Sequence, residues 1–170
     1  MDPIPKYARL ENERRRLVVT PPDLTGLAFR LVEDLYVEGT RLRLRAMTDS
    51  ATGARELKLC KKYGGPDPVS APIVNIYLTE AEHAALAALP GRPIRKRRYR
   101  APHGDRTFGL DVFEGELQGL MLCEAEAESR EAILAVVFPP WAGREVTEDP
   151  FFTGGILCRL TAAELAARLG

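Results

Sequence analysis

Cysteine is scarce in this sequence and is not arranged for disulfide or zinc chemistry. The three cysteines, Cys60, Cys123 and Cys158, are an odd number, lie far apart and show neither CxxC nor zinc-ligand spacing. Covalent staples are not needed, because one domain of 170 residues buries about 70% of the surface that its unfolded chain exposes. We expect reduced thiols in buried or half-buried positions of a single domain covering residues 1–170.

Long apolar runs and an excess charge of one sign are also absent. No segment approaches the roughly 20 apolar residues of a membrane span, and the first residues, MDPIPKYARL, contain no apolar run suited to a signal peptide. Because 24 Lys and Arg balance 24 Asp and Glu, the chain has no general attraction for nucleic acid or anionic lipid. The composition predicts a soluble, cytoplasmic protein without a membrane or nucleic-acid partner.

Familiar arrangements of nucleophile and base are missing too. The two histidines are His83, in a predicted helix, and His103, in the loop APHGD. Neither has a Ser or Cys arrangement that would make it a catalytic base. We expect surface or loop positions for both.

What the sequence does contain is a series of short segments with a period of two, separated by Gly and Pro. The predicted strands are residues 8–19, 30–37, 41–47, 55–63, 72–78, 94–101, 108–114 and 120–128, with a shorter one at 143–147. Helices are predicted in LTEAEHAALAALPG, SREAILAVVFPP and TAAELAARLG, the first and last with Thr/Glu capping boxes. The pattern predicts an α+β, mainly β, fold of antiparallel strands with a few helices.

Charged residues alternate along these strands, and residues i and i+2 of a strand share a face. The charged rows are Glu11/Glu13/Arg15, Arg43/Arg45, Lys58/Cys60/Lys62, Lys96/Arg98/Arg100 and Glu124/Glu126/Glu128. Each row alone fits a solvated sheet surface. Like charges on neighbouring strands, however, destabilise a sheet unless counter-charges lie among them.

A closed barrel with its polar face inward would use all of these rows. The basic rows would converge on an anion with many oxygens. The carboxylate pairs would hold a divalent cation, because hard oxygen ligands suit Mg²⁺ or Mn²⁺. A polyphosphate with its metal ion combines both features.

Six segments of the chain occur in the order of the motifs of one known family. They are ENERRRLVV, DLYVEGTRLRLR, LCKKYG, IRKRRYR, GLDVFEGELQGLMLCEAEAES and PPWAGREVTEDPFF. Together they resemble the CYTH domains, also called triphosphate tunnel metalloenzymes, whose strands carry the patterns ExExK, RxR, LTxK, KxRY and ExE and whose closing segment carries EVT. Cys60 stands at the threonine of LTxK.

The resemblance implies a closed antiparallel eight-stranded β-barrel, a triphosphate tunnel with a few flanking helices. By position it implies catalytic roles for Glu13, Glu126 and Arg15, phosphate binding by Arg43, Arg45, Lys62, Lys96 and Arg98, and binding of Mg²⁺ or Mn²⁺ by Glu11, Glu13, Glu124 and Glu126. Asp111 would support these residues, and Glu145 is a weaker candidate. The expected partner is a small molecule that contains a triphosphate, and the expected oligomeric state is a monomer or a homodimer.

The sequence departs from the family's pattern in two ways. Ile73 and Asn75 stand where a further ExE pair is usual, and Arg15 replaces the lysine of ExExK. Arginine keeps the charge but does not exchange a proton near neutral pH. We therefore expect substrate binding to survive these changes more readily than catalysis.

Three functions fit these observations. The leading hypothesis is metal-dependent hydrolysis of inorganic tripolyphosphate or a related triphosphate, by in-line attack of water on a terminal phosphorus. The alternatives are a class IV adenylyl cyclase-like conversion of ATP to cyclic AMP, and a polyphosphate- or nucleotide-binding module with weak or no turnover.

We expect Trp141, the only tryptophan, to pack against the outside of the barrel.

Overall fold

The computed structural model describes residues 4–170 and contains eight strands in one closed barrel. The strands are β1 Arg9–Leu17, β2 Phe29–Val37, β3 Leu42–Asp49, β4 Arg55–Lys62, β5 Ser70–Tyr77, β6 Gly91–His103, β7 Arg106–Phe113 and β8 Met121–Ala127. Around the barrel they follow the order β1-β5-β4-β3-β2-β6-β7-β8, and every neighbouring pair is antiparallel. The predicted fold class is confirmed, and each of the eight longer predicted strands overlaps an observed strand.

The ninth predicted strand, residues 143–147, is wrong. This segment forms only an isolated bridge between Arg16 and Glu145. Strand β1 pairs with β5 over residues 9–12, so the later half of β1 has a free edge on that side. The backbone around Glu145 covers this edge through hydrogen bonds of 2.8–2.9 Å to β1, but the covered stretch is too short to form a strand.

Four helices lie within residues 4–170: α1 Glu80–Leu86, α2 Arg130–Leu134, α3 Gly154–Leu157 and α4 Ala162–Leu169. The predicted capping boxes are present at Thr79 and Thr161. Helix α2 is shorter than predicted, because β-branched Val136 and Val137 lead towards Pro139, and a residue that precedes proline disfavours helix. Helix α3 was not predicted, because two glycines at its start have low helix propensity. None of these helices is long and apolar enough to cross a membrane.

The chain that follows β8 covers one side of the barrel's outer surface. Outward-facing residues of β6, β7 and β8 pack there against α2 and residues 136–142, in a buried cluster that includes Tyr99, Phe108, Leu110, Ile133 and Phe138. Trp141 packs against this cluster, as predicted. The three cysteines are free thiols, as predicted, and burial of Cys123 in the cluster raises the pKa of its thiol to about 12.

A second apolar cluster, termed the end cluster, fills one end of the barrel. Inward-facing residues of four strands pack against residues of the C-terminal segment that follows the barrel. The main members are Leu17, Ile94, Phe113 and Leu122 from the strands, and Val146, Phe152, Leu157 and Leu165 from the C-terminal segment. The polar part of the barrel interior is therefore bounded by an apolar wall at this end.

Candidate active site

The inward faces of the strands enclose a cavity of about 880 Å³. Every residue that the sequence analysis named for catalysis, phosphate binding or metal binding lines this cavity. These residues are Glu11, Glu13, Arg15, Arg43, Arg45, Lys62, Lys96, Arg98, Glu124 and Glu126. They come from β1, β3, β4, β6 and β8, so closure of the barrel brings together charges that are far apart in the sequence.

Three carboxylates in the cavity form a group termed the acidic triad. Glu11, Glu13 and Glu126 each offer one oxygen, and these oxygens lie within 4.8 Å of one another. Glu13 and Glu126 are directly opposite in the pairing of β1 with β8, which explains why they meet. Three carboxylate oxygens at this spacing fit the ligand preference of hard divalent cations. The acidic triad is thus the candidate metal site.

The electrostatics of the acidic triad reflect crowding of like charge. Burial and the neighbouring carboxylates of Glu13, Glu11 and Glu124 raise the pKa of Glu126. Glu124 lies next to the triad but accepts a hydrogen bond from Arg98. Glu124 is therefore already paired with a cation of β6.

A buried aspartate holds the two arginines of β3. Asp34, on β2, accepts hydrogen bonds from Arg45 Nε at 2.6 Å and Arg45 Nη2 at 2.7 Å, and its Oδ1 lies 3.7 Å from Arg43 Nε. Burial alone would raise the pKa of Asp34, but the charges of Arg45, Arg43 and Lys96 prevail and lower it. Asp34 therefore remains ionised and fixes the orientation of Arg45.

Asp111, on β7, does the same for the cations of β6. It accepts two hydrogen bonds of 2.7 Å from Arg98 and is also in contact with the ammonium group of Lys96. Burial favours the neutral acid, but Arg98 and Lys96 overcome this and lower the pKa of Asp111. Burial is also the main cause of the lowered pKa of Lys96. The supporting role predicted for Asp111 fits this geometry.

Arg43, like Arg15, has a buried Nε without a hydrogen-bond partner within residues 4–170. Its guanidinium lies near Asp34, Tyr36 and Cys60, and despite burial their influence raises its pKa well above the usual range. Arg43 is therefore a permanent cation in the cavity wall. Such a cation suits an anionic ligand with several oxygens.

Lys62 and Arg15 lie beside the acidic triad. Lys62 contacts Glu11 and lies 3.8 Å from Glu13, and although burial opposes it, these carboxylates raise the pKa of Lys62. Arg15 Nε forms an ion pair with Glu13 at 3.1 Å, and its Nη1 donates to the carbonyl of Phe152 at 2.7 Å. Both cations therefore partly neutralise the triad.

Comparison with known proteins identifies the family. No family model matches the chain. Over 145 residues it is 37% identical to an inorganic triphosphatase of Nitrosomonas europaea, which covers 82% of this chain and 90% of the relative. The chain belongs to the inorganic triphosphatase family.

A second relative and two solved structures agree with this result. An inorganic triphosphatase of Acetivibrio thermocellus is 36% identical over 66 residues, which cover 39% of this chain and 41% of the relative. A crystal structure of the inorganic triphosphatase NE1496 aligns with a TM-score of 0.56 and 31% identity, over 87% of this chain and 93% of that one. A second crystal structure, of the hypothetical protein NE1496, aligns with a TM-score of 0.58 and 32% identity, over 89% and 99%.

For this triphosphatase-family chain, the residues of the cavity that sequence reasoning missed include Asp34 and Tyr36. Both belong to the inward row of β2, and each is directly opposite an arginine of β3. The signal was present as the period-two row Val32, Asp34 and Tyr36, but this row carries a single charge and does not stand out.

Other charged residues lie outside the cavity. Glu145, the weaker candidate, accepts a hydrogen bond of 2.8 Å from Arg14 on the barrel's outer side.

On β5, Ile73 and Asn75 are opposite Lys62 and Cys60. The inward positions where a further ExE pair was expected therefore carry no carboxylate.

Proposed function

We propose that this protein hydrolyses inorganic tripolyphosphate or a related triphosphate with the help of a divalent cation. One observation carries the proposal: the five cationic side chains assigned to phosphate binding and the acidic triad line the same cavity of a triphosphatase-family barrel. The family relationship supports hydrolysis of a phosphoanhydride bond. Phosphoryl transfer depends mainly on positioning and on neutralising charge, which this set of side chains can provide.

Each part of the cavity has a proposed role. Arg43 and Arg98 would bind phosphate oxygens through their planar guanidinium groups, with Arg45 offering its remaining Nη1. Lys62 and Lys96 would act as point charges on the same anion.

Glu11, Glu13 and Glu126, with Glu124 beside them, would hold Mg²⁺ or Mn²⁺. When bound, the cation supplies positive charge beside the phosphate oxygens at which charge develops. Glu13 and Glu126 are the carboxylates on which turnover should depend most, because they face each other across the β1–β8 pair. Arg15 would keep Glu13 in place through their ion pair.

We also propose several finer points from the sequence analysis. The family relationship extends to the CYTH domains, residues 1–170 form a single domain, and the protein is cytoplasmic and a monomer or homodimer.

A second candidate function is triphosphate binding with weak turnover. The absence of carboxylates at Ile73 and Asn75 favours it, because fewer oxygen ligands are then available to a second cation or to the attacking water.

Phosphate release decides between these functions. Tripolyphosphate and ATP are incubated with the protein, with and without Mg²⁺ or Mn²⁺, and cyclic AMP is assayed by chromatography. We expect metal-dependent release of phosphate from tripolyphosphate, loss of turnover in Glu13→Gln, and no cyclic AMP. Tight tripolyphosphate binding without products under either metal would favour the binding function, and turnover of Glu13→Gln at the wild-type rate would contradict the assigned site.

A further inference from the structure

The C-terminal segment that follows the barrel reaches into the wall of the cavity. Phe152 and Leu157 are 0% and 2% exposed and belong to the end cluster. The Phe152 carbonyl accepts the hydrogen bond from Arg15 Nη1 at 2.7 Å. Between these anchors, Gly154 lines the cavity. The segment therefore has a fixed position relative to β1.

Tyr36 lies between this segment and the cations of β3. It is directly opposite Arg43 in the pairing of β2 with β3, and the nearby Arg43 guanidinium opposes the effect of burial, which raises the pKa of the Tyr36 hydroxyl. On its other side, Tyr36 packs against Gly154. A Cβ atom on Gly154 would lie 1.7 Å from Tyr36 Oη and 2.4 Å from Cζ, far below the roughly 3.5 Å at which nonbonded carbon atoms meet.

The next glycine provides a contrast. A Cβ atom on Gly155 would meet no atom within 4 Å. Neither glycine has a positive φ, so alanine fits the backbone at both positions. Both lie in α3, where alanine is the better helix former. Glycine is therefore required at 154 by the contact with Tyr36 and not by the backbone.

We propose that Tyr36, seated on Gly154, is a positioning residue that orients Arg43 and so sets the affinity for the phosphate chain. Arg43 needs such a support because its buried Nε has no hydrogen-bond partner in the described part of the chain. Arg45, by contrast, is fixed by two hydrogen bonds to Asp34. This inference rests on the proposed function, since it assigns Arg43 to a bound triphosphate.

The matched pair Gly154→Ala and Gly155→Ala tests the contact. For each variant, kcat and KM are measured with tripolyphosphate and Mg²⁺ or Mn²⁺, and tripolyphosphate binding is measured by calorimetry without metal. We expect Gly154→Ala to raise KM and Kd by about tenfold with a smaller change in kcat, which corresponds to one lost charge-assisted hydrogen bond. We expect Gly155→Ala to remain within about twofold of the wild type, a difference well below one such bond.

A background that lacks the ring provides the second test. In a Tyr36→Ala background, the added methyl group has room, so Gly154→Ala should cause no further change in KM, a non-additive result. Tyr36→Phe retains the packing and removes the hydroxyl. Tyr36→Phe should raise KM without changing the melting temperature. If Gly154→Ala does not fold, the KM of Tyr36→Phe tests whether Tyr36 orients Arg43.

Equal effects of the two alanine variants, additive effects in the Tyr36→Ala background, or a wild-type KM for Tyr36→Phe would overturn the inference. In each of these cases an active wild-type protein leaves the proposed function intact. A wild-type protein that neither binds nor hydrolyses tripolyphosphate would overturn both.

Discussion

Replacement of Asp34 by Asn probes the carboxylate that holds the arginines of β3. Asn keeps the shape of the side chain but removes the charge, which leaves the Arg45 guanidinium buried without its counter-charge. Loss of one partner of a buried ion pair costs about 3–5 kcal/mol. For a chain of this length, 1 kcal/mol corresponds to about 2–4 °C in melting temperature, so Asp34→Asn should lower it by about 6–20 °C.

The assay is thermal unfolding at pH 7, followed by circular dichroism, for the wild type, Asp34→Asn and Glu33→Gln. Glu33 is the adjacent residue of β2, is exposed and faces outward, so its replacement should change stability by less than about 0.5 kcal/mol. If Asp34→Asn melts at the same temperature as Glu33→Gln, the claim that Asp34 stabilises the arginine pair is refuted.

The pH dependence of the melting temperature provides an independent check on the role of Asp34. Because the pKa of Asp34 is lower in the folded protein than its ordinary value, its contribution to stability is complete above the pKa of the unfolded chain, about 3.9. It is lost as the pH falls through the folded-state pKa. The difference in melting temperature between wild type and Asp34→Asn should therefore be constant from pH 7 to about pH 5 and shrink below about pH 4. A difference that grows in acid would contradict this assignment.

Three further substitutions test other parts of the barrel. Glu126→Gln should weaken Mn²⁺ binding, measured by calorimetry, by about tenfold or more, whereas Glu128→Gln, at an exposed position just beyond β8, should not. Arg43→Lys should raise KM for tripolyphosphate by about tenfold and Arg45→Lys by less, because two donors of Arg45 are already taken; the reverse order would show that Arg45 is the main phosphate ligand. Glu145→Gln should lower the free energy of unfolding, measured by chemical denaturation, by only about 0.2–1 kcal/mol, because the Glu145 side chain is 33% exposed. It should leave kcat unchanged, because this side chain lies outside the cavity. A fall in kcat would show that Glu145 takes part in the reaction.

The period of two predicted most of the barrel because strand pairing preserves the side of each residue. Once Glu13 and Glu126 lie on inward rows, antiparallel pairing of β1 with β8 brings them face to face. The helix boundaries at Thr79 and Thr161 were equally predictable, since a capping box is a local arrangement of backbone donors and side-chain oxygens.

The local sequence pattern gave wrong predictions for residues whose environment is formed by segments far away in the sequence. Residues 143–147 alternate like a strand, but their pairing depends on how far β5 covers the edge of β1, which no local pattern contains. Aspartate side chains are usually exposed to solvent, but that of Asp34 is buried and accepts a hydrogen bond from Arg45. The pairing of cations with Asp34 and Asp111 follows from strand order around the barrel, because β2 lies beside β3 and β7 beside β6.

The sequence by itself determined which side chains face inward and what charge each row carries, since alternation is a property of every extended strand. Only the tertiary structure decided which of these charged side chains lie next to one another. Closure of the barrel grouped Glu11, Glu13 and Glu126 and paired Glu124 with Arg98. It also brought Gly154 against Tyr36, because the C-terminal segment reaches the cavity through packing of apolar side chains at the barrel's end. Such contacts depend on distances between segments remote in the chain, which a one-dimensional pattern does not encode.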